Sequence, residues 1–285
     1  MLSFPMRQSL YIARNVVFTC LLLGQAYCAQ ALTLDDFSYY FHDEDLLSLT
    51  VADQQIPALE IQPQLPLARG TAIILVSLQS QSVNLDTGLV LGDSLAEKGW
   101  RTLLIPTDFT QAQATQTPPP ASDKPIANLL TAPVDYDAYR LQIIGLINAA
   151  YSHANQYKGY TFVVAEGMTA AVLLDALHNS LLNPPDTLVS VGAFWPARTQ
   201  NNALADMLAQ SGYPVLDISL PTLSQWQSAT VDKRRKAVAV SLKQLYRQRS
   251  FTAQQSYGGA GDRLPRPGSA WLGTEIYSWL RYLGW

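Results

Sequence analysis

Chemistry in a folded chain needs a nucleophile, a base or a ligand cluster at a fixed place. The stretch of this sequence best built to fix such a place is Tyr160 to Leu177, YTFVVAEGMTAAVLLDAL. A short apolar run (Thr161, Phe162, Val163, Val164) stops at the small residues Ala165 and Gly167, and an alanine-rich helical pattern begins at once. Strand, sharp turn and helix in that order make a nucleophile elbow, small-x-nucleophile-x-small, in which a strained turn lifts a hydroxyl above the sheet. The five positions here are Ala165, Glu166, Gly167, Met168 and Thr169, so the nucleophile slot holds glycine. Glycine reaches positive φ without a Cβ penalty; it keeps the turn and removes the reactive group.

Other residue types with chemical potential are sparse. The histidines are His42, His153 and His178. Asp175 and His178 stand at i, i+3 on a helix and can touch there, a spacing expected of a solvated pair more than of a dyad. His153 and His42 have no supporting neighbours in sequence. His42 beside Asp43-Glu44-Asp45 is the one acidic cluster; it reads as a solvated tail, and no metal site or cofactor is expected. From Val231 to Arg249 lie Lys233, Arg234, Arg235, Lys236, Lys243, Arg247 and Arg249, which read as a solvated basic helix face. Glu166 has two readings: a carboxylate at a pocket rim near a helix N-terminus, or a cap or partner of a neighbouring arginine.

The elements that must position these residues follow from periodicity. Leu46 to Val51 and Ile56 to Ile61 alternate and read as an antiparallel hairpin at a sheet edge. Thr71 to Leu78 is continuously apolar, as in a strand buried on both faces of a parallel sheet. Gly88 to Lys98 is helical and ends at Gly99, and Trp100 to Ile105 is a strand stopped by Pro106. Residues 107–133, with Pro118-Pro119-Pro120, have no period and read as a lid or a flexible loop. Tyr136 to Asn155 is helical, with Tyr139, Ile143, Leu146, Ile147 and Ala150 on one face. After the elbow come a strand (Leu188 to Phe194), a helix (Asn201 to Gln210), a strand (Pro214 to Ser219) and a basic helix (Asp232 to Tyr246). A last strand (Arg249 to Gln254), a Gly- and Pro-rich loop and a closing helix (Trp271 to Leu283) complete the chain. Alternating strands and helices predict an α/β fold, a mainly parallel sheet flanked by helices on both faces with an N-terminal antiparallel hairpin.

With 285 residues, 48% of them hydrophobic and 14% charged, a sizeable core is available and wholesale disorder is excluded. Arg7 and Arg14 precede the apolar run Val16 to Leu23, and Ala29-Gln30-Ala31 forms an A-x-A site. Residues 1–31 therefore read as a cleavable export signal, the apolar run being too short to span a bilayer. The expected mature chain is one domain, residues 32–285, periplasmic or secreted. Tyr27 before Cys28 argues against a lipoprotein site, and with Cys20 also in the signal the mature chain would carry no cysteine. It would retain 17 basic against 22 acidic residues, a formal charge of −5, which excludes a basic footprint for nucleic acid.

Several stretches carry a resemblance: AIILVSLQS (Ala72 to Ser80), GWRTLLIP (Gly99 to Pro106), VVAEGMTAA (Val163 to Ala171), PVLDI (Pro214 to Ile218), YRQ (Tyr246 to Gln248) and IYSWLR (Ile276 to Arg281). In this order the chain resembles the α/β-hydrolase superfamily and, within it, the exported bacterial family called domain of unknown function 3530. The resemblance implies a Ser at the elbow, a late acid and a late His, and backbone donors for an oxyanion. Here the slot is Gly167; the loop expected to carry the acid, Leu220 to Ser224, has no carboxylate; and the loop expected to carry the His, Gln255 to Ser269, has none. Where a His-Gly pair would stand after the first buried strand, the chain has Ser77 and Leu78.

Four parts of one machine are thus altered together. The leading expectation is an exported, catalytically inactive domain that binds an envelope protein or a small apolar ligand in the vestigial cleft. Glu166, Trp195 and Trp226 are the expected ligand-binding residues. The alternatives are a hydrolase with an unusual nucleophile such as Ser77, or a structural interaction protein using the 107–133 loop.

Overall fold

The computed structural model describes residues 46–77, 82–107, 136–220, 225–251 and 267–285. The chain divides into Met1–Tyr40 and Phe41–Trp285, and every described residue belongs to the second unit. The expected signal, the acidic cluster at residues 42–45, Leu78, the loop from 108 to 133 and most of the late loop lie outside the described residues.

Eight strands form one sheet in the order β1-β2-β4-β3-β5-β6-β7-β8. The strands β1 (Leu46–Val51) and β2 (Gln54–Ile61) make the antiparallel edge hairpin, closed by two residues with Ala52 at φ 52°. The remaining strands, β3 (Gly70–Val76), β4 (Trp100–Pro106), β5 (Tyr160–Glu166), β6 (Thr187–Val191), β7 (Val215–Ser219) and β8 (Tyr246–Ser250), run parallel to one another. All residues of β3, β6 and β7 are buried, as a sheet covered on both faces requires.

Among the described residues six helices cover the sheet: α1 (Leu85–Ala96), α2 (Tyr136–Ala154), α3 (Gly167–His178), α4 (Arg198–Gln210), α5 (Gln225–Val240) and α6 (Pro267–Tyr282). On one face Ile73, Leu103, Val163, Leu188 and Val215 pack with the apolar stripes of α2, α3 and α4. The stripe of α2 is Tyr139, Ile143, Leu146, Ile147 and Ala150, as its period predicts. On the other face α1 packs against α6, and the Trp279 indole of α6 donates to the buried Thr187 hydroxyl at 2.9 Å. Gly88 and Gly92 let α1 lie close on the sheet, because a Cβ at either would collide with Val76 or Ile61. Among the described residues no helix is long and apolar enough to cross a membrane, and no group of three or more His, Cys, Asp or Glu could hold a metal ion.

The C-terminal third departs from the sequence reading. The basic helix stops at Val240 rather than Tyr246, because Leu242 turns left-handed at φ 55° and Lys243 N donates back to Val238 O. The last strand consequently begins at Tyr246 and ends at Ser250 instead of running from Arg249 to Gln254. Nor is the basic face wholly solvated. Arg234 is fully buried and donates from Nη1 to Asp217 Oδ1 at 2.8 Å; Tyr246 and Gln248 donate to Asp217 Oδ2 at 2.7 and 3.1 Å. Burial first, and the Asp217 charge second, hold the Tyr246 phenol protonated far above its ordinary range. Among the described residues Arg234 Nε and Nη2 have no partner, so the pair is held by one side of the guanidinium alone.

Breaking such a pair strands a buried charge. Asp217→Ala is expected to cost about 3–5 kcal/mol in urea unfolding, and adding Arg234→Met should recover part of that loss by removing the stranded charge. Equal midpoints for the single and double variants would contradict this coupling.

Candidate functional site

The parallel strands end along one edge of the sheet. Val76 pairs with Pro106, Glu166 with Val191, and Val191 with Ile218, so the segments after β3, β4, β5, β6 and β7 leave from a common rim. Ligand sites of open α/β sheets form at this rim. At its centre Glu166 is still extended (φ −117°, ψ 152°) and Gly167, the next residue, opens α3 at φ 59°. The strand therefore becomes a helix through a single left-handed residue, which is the elbow geometry. A Cβ on Gly167 would stand 3.4 Å from Phe194 Cε1, an ordinary contact. The obstacle to a side chain there is backbone conformation rather than space.

Glu166 is the N-cap residue of α3, but its side chain makes no cap bond there. Its Oε2 instead accepts the backbone N–H of Val83 at 2.6 Å. Val83 is buried and closes the connection from β3 to α1, one residue before Asn84, whose Oδ1 caps α1 at Thr87 N, 2.9 Å away. The carboxylate thus serves the start of α1, where negative charge is favoured, and not the start of its own helix. The expected cap on its own helix is therefore not formed, and the carboxylate reaches the neighbouring connection instead. In hydrolases of this architecture the connection after the first buried strand supplies a backbone donor to a transient oxyanion. Here one donor of that connection is held by a carboxyl group of the chain itself.

Ser77 is half-buried at the end of β3, and its N–H donates to Val83 O at 3.1 Å. Thr169 is buried with its hydroxyl 2.6 Å from the Tyr139 hydroxyl of α2, so a side chain rather than a backbone carbonyl satisfies it. Trp195, in the loop after β6, is 6% exposed and packs edge-on against Tyr136 with ring centres 5.3 Å apart. Trp226 lies in the first turn of α5 and is half-buried. Both are tied by a residue that sequence reasoning passed over. The buried Asn201 accepts from Trp195 N at 3.0 Å and donates to Trp226 O at 2.7 Å, joining two segments of the rim.

No described histidine serves this rim. His178 is exposed at the far end of α3, about 16 Å along the helix from Gly167. It does not pair with Asp175, which accepts instead from Arg140 at 3.3 Å and Asn179 at 3.1 Å. His153 ends α2 near the opposite edge of the sheet and does have neighbours, contrary to expectation: Glu60 Oε2 at 3.2 Å and the Tyr157 ring. Glu60 also pairs with Arg101, whose guanidinium lies 3.6 Å over the Tyr157 ring, so this group is a structural cluster. Asp217 comes nearest to the expected acid, but it sits inside β7 with both oxygens engaged by Arg234, Tyr246 and Gln248. Among the described residues the rim holds a carboxylate without a base, and hydroxyls without a histidine.

Gly167→Ser is expected to lower stability by about 1–2 kcal/mol, since it forces a Cβ to positive φ. Glu166→Ala, which leaves the Val83 N–H without its acceptor, is expected to cost about 1–3 kcal/mol. Thermal or urea unfolding of the two variants measures both; an unchanged Gly167→Ser midpoint would contradict strain at the elbow.

Solved structures share this frame. Similar chains include the esterase domain of a Rhodothermus marinus protein (12% identity, TM-score 0.52, covering 83% of this chain and 97% of that one). A putative dienelactone hydrolase from Klebsiella pneumoniae is 15% identical, with TM-score 0.55 and coverage of 82% and 96%. A predicted CIB-like hydrolase from Thermoplasma acidophilum is 12% identical, with TM-score 0.51 and coverage of 83% and 97%. At these identities the likeness shows the fold, an α/β-hydrolase sheet. No functionally curated protein matches the sequence. The family model described as "Protein of unknown function (DUF3530)" matches residues 37–264, and the chain belongs to that family.

Proposed function

We propose that this protein is a catalytically inactive α/β-hydrolase-like domain, exported to the periplasm or beyond, that acts by binding a small apolar ligand or an envelope component at the rim. One observation carries the reading: the pairing of an empty nucleophile slot at Gly167 with a Glu166 carboxylate bonded to the Val83 N–H of the neighbouring connection. A serine esterase lowers its barrier by offering preorganised donors to an anion that forms during reaction. A carboxylate already on such a donor removes it from use, and its charge opposes a second anion nearby. The described histidines and Asp217 are engaged or distant, so among the described residues no base stands ready to activate a substitute hydroxyl.

Half-buried Met168, Phe194 and Trp226 give the rim apolar surface alongside the Glu166 carboxylate. An apolar molecule with one hydrogen-bond donor suits that lining better than an anionic one. Export is supported by Arg7, Arg14, the apolar run Val16 to Leu23 and the A-x-A site ending at Ala31.

The test is labelling of the purified mature chain with a broad serine-reactive phosphonate, read by intact mass. No adduct is expected, either with the native chain or with Gly167→Ser. A single adduct on Ser77 or another hydroxyl, with ester turnover lost on its substitution, would overturn the reading in favour of an unusual hydrolase. N-terminal sequencing of protein recovered from the periplasm should begin at Leu32.

A further inference from the structure

The outer strand β8 is open along one side. Val215 N donates to Leu245 O at 3.0 Å and Phe251 N to Ser219 O at 2.9 Å, so Leu245, Arg247, Arg249 and Phe251 turn their backbone groups to β7. Tyr246, Gln248 and Ser250 turn theirs outward, and among the described residues no further strand pairs with them. Beside this edge, on the face covered by α5, lies an open hollow of about 670 Å³. Its floor is Val238, Ala239 and Leu242 together with Tyr246 and Gln248 of β8. Leu242 is 82% exposed and the adjoining Val240 84% exposed, so apolar surface faces solvent where the edge is unpaired.

Basic side chains flank this edge on both faces of the sheet, Arg235 among them paired with Asp232 at 2.8 Å. Arg235 and Lys243 stand at the hollow, and no carboxylate lines it. Lys243 is fixed by Ser211 Oγ at 2.7 Å and Tyr213 O at 2.8 Å; burial lowers its pKa to about 8, which leaves it charged at pH 7. On the α6 face Arg247 lies over the Tyr282 ring at 4.8 Å and Arg249 is bidentate to Glu275 at 2.8 Å. From Asp232 to Ser250 there are seven basic residues and one acidic residue. A second copy pairing edge to edge would set this arginine-bearing strand against itself, which like charges oppose. An anionic polymer without peptide groups would leave the outward N–H and C=O groups without a ladder.

We propose that the β8 edge and its hollow form a docking strip for an extended acidic peptide of a partner protein, which adds a ninth strand and places an apolar side chain on Val238, Ala239 and Leu242. Backbone pairing supplies the affinity, and alternate side chains in the hollow and against the basic rim supply the selection. The strip is separate from the Gly167 rim and does not depend on what binds there.

The experiment uses the mature chain at pH 7 and a fluorescein-labelled peptide of alternating valine and glutamate, followed by fluorescence anisotropy. Saturable binding is expected, and none for the matched valine and lysine peptide. Ser250→Pro removes one outward N–H while sparing the bonds to β7, and Leu242→Asp sets a carboxylate on the apolar lip at a left-handed position that aspartate tolerates. Each should weaken binding about tenfold or more with the melting temperature unchanged. Hydrogen exchange at the Tyr246 and Gln248 amides should slow when the peptide is bound. The proposal is overturned if the acidic peptide does not bind, if the lysine peptide binds equally, if both variants bind as the native chain does, or if protection appears elsewhere. Sedimentation showing a dimer that Ser250→Pro dissociates would overturn it in favour of a second copy of the chain.

Discussion

The pairing of β3 with β5 is the constraint on which the site depends. These strands are far apart in sequence, and they meet because their first residues can approach closely. Gly70 pairs with Tyr160, at a separation where a Cβ on Gly70 would run into the Tyr160 backbone; a Cβ on Gly159 would likewise meet Arg69. Tyr160 N donates to Arg69 O at 3.1 Å, locking the start of the register. From that fixed origin both strands run in step to the rim, where β3 releases the connection to Val83 and β5 delivers Glu166 and Gly167. The 2.6 Å bond between Glu166 and Val83 is a consequence of that shared register. A slip of one residue would turn Glu166 to the other face of the sheet and part the two.

That bond gives the elbow a structural use. In a hydrolase the strained turn is retained because it presents a nucleophile, and the surrounding fold holds the strain. With glycine at φ 59° the turn is relaxed, so the frame is spared a source of instability at this position. The carboxylate next to it secures the β3 to α1 connection and favours the start of α1. Thr169, two residues on, is likewise turned inward to the Tyr139 hydroxyl of α2. Both side chains bind the chain to itself.

The sequence made the fold legible where periodicity was strong and the contacts were local. The continuous apolar run of β3, the stripe of α2 and the small residues at the elbow each have one structural solution, and each was met. The elbow glycine at positive φ was likewise legible, since only the turn explains it. What escaped were partnerships between residues far apart. Glu166 with Val83, Glu60 with His153, and Asn201 between two tryptophan backbones have no signature in spacing. Arg234 was different, for a signal existed: Gln227, Thr230, Arg234 and Val238 recur at helical spacing, and all four are buried. Weighing the run Lys233 to Lys236 by charge alone hid that stripe. The end of α5 was missed for a conformational reason, because leucine at φ 55° gives no warning that a glycine would have given.

The two sides of the sheet are held by different physics, and this bears on how the protein can interact. From β3 to β6 the α2 and α3 side is apolar, non-directional and closely packed. From β6 to β8 the layer under α5 is polar: Ser190, Asp217, Ser219, Gln227 and Arg234 are all buried. A buried ion pair is a weak device for stability, since the cost of dehydrating both charges nearly cancels their attraction. It is a strong device for orientation, because Asp217 fixes the Tyr246 phenol and the Gln248 amide at defined distances. Those two side chains line the hollow beside the open edge. The ion pair therefore sets the shape of an outer strand whose charges and backbone, among the described residues, face solvent together. An apolar layer in its place would hold the helix as well, but would leave that edge without a fixed form.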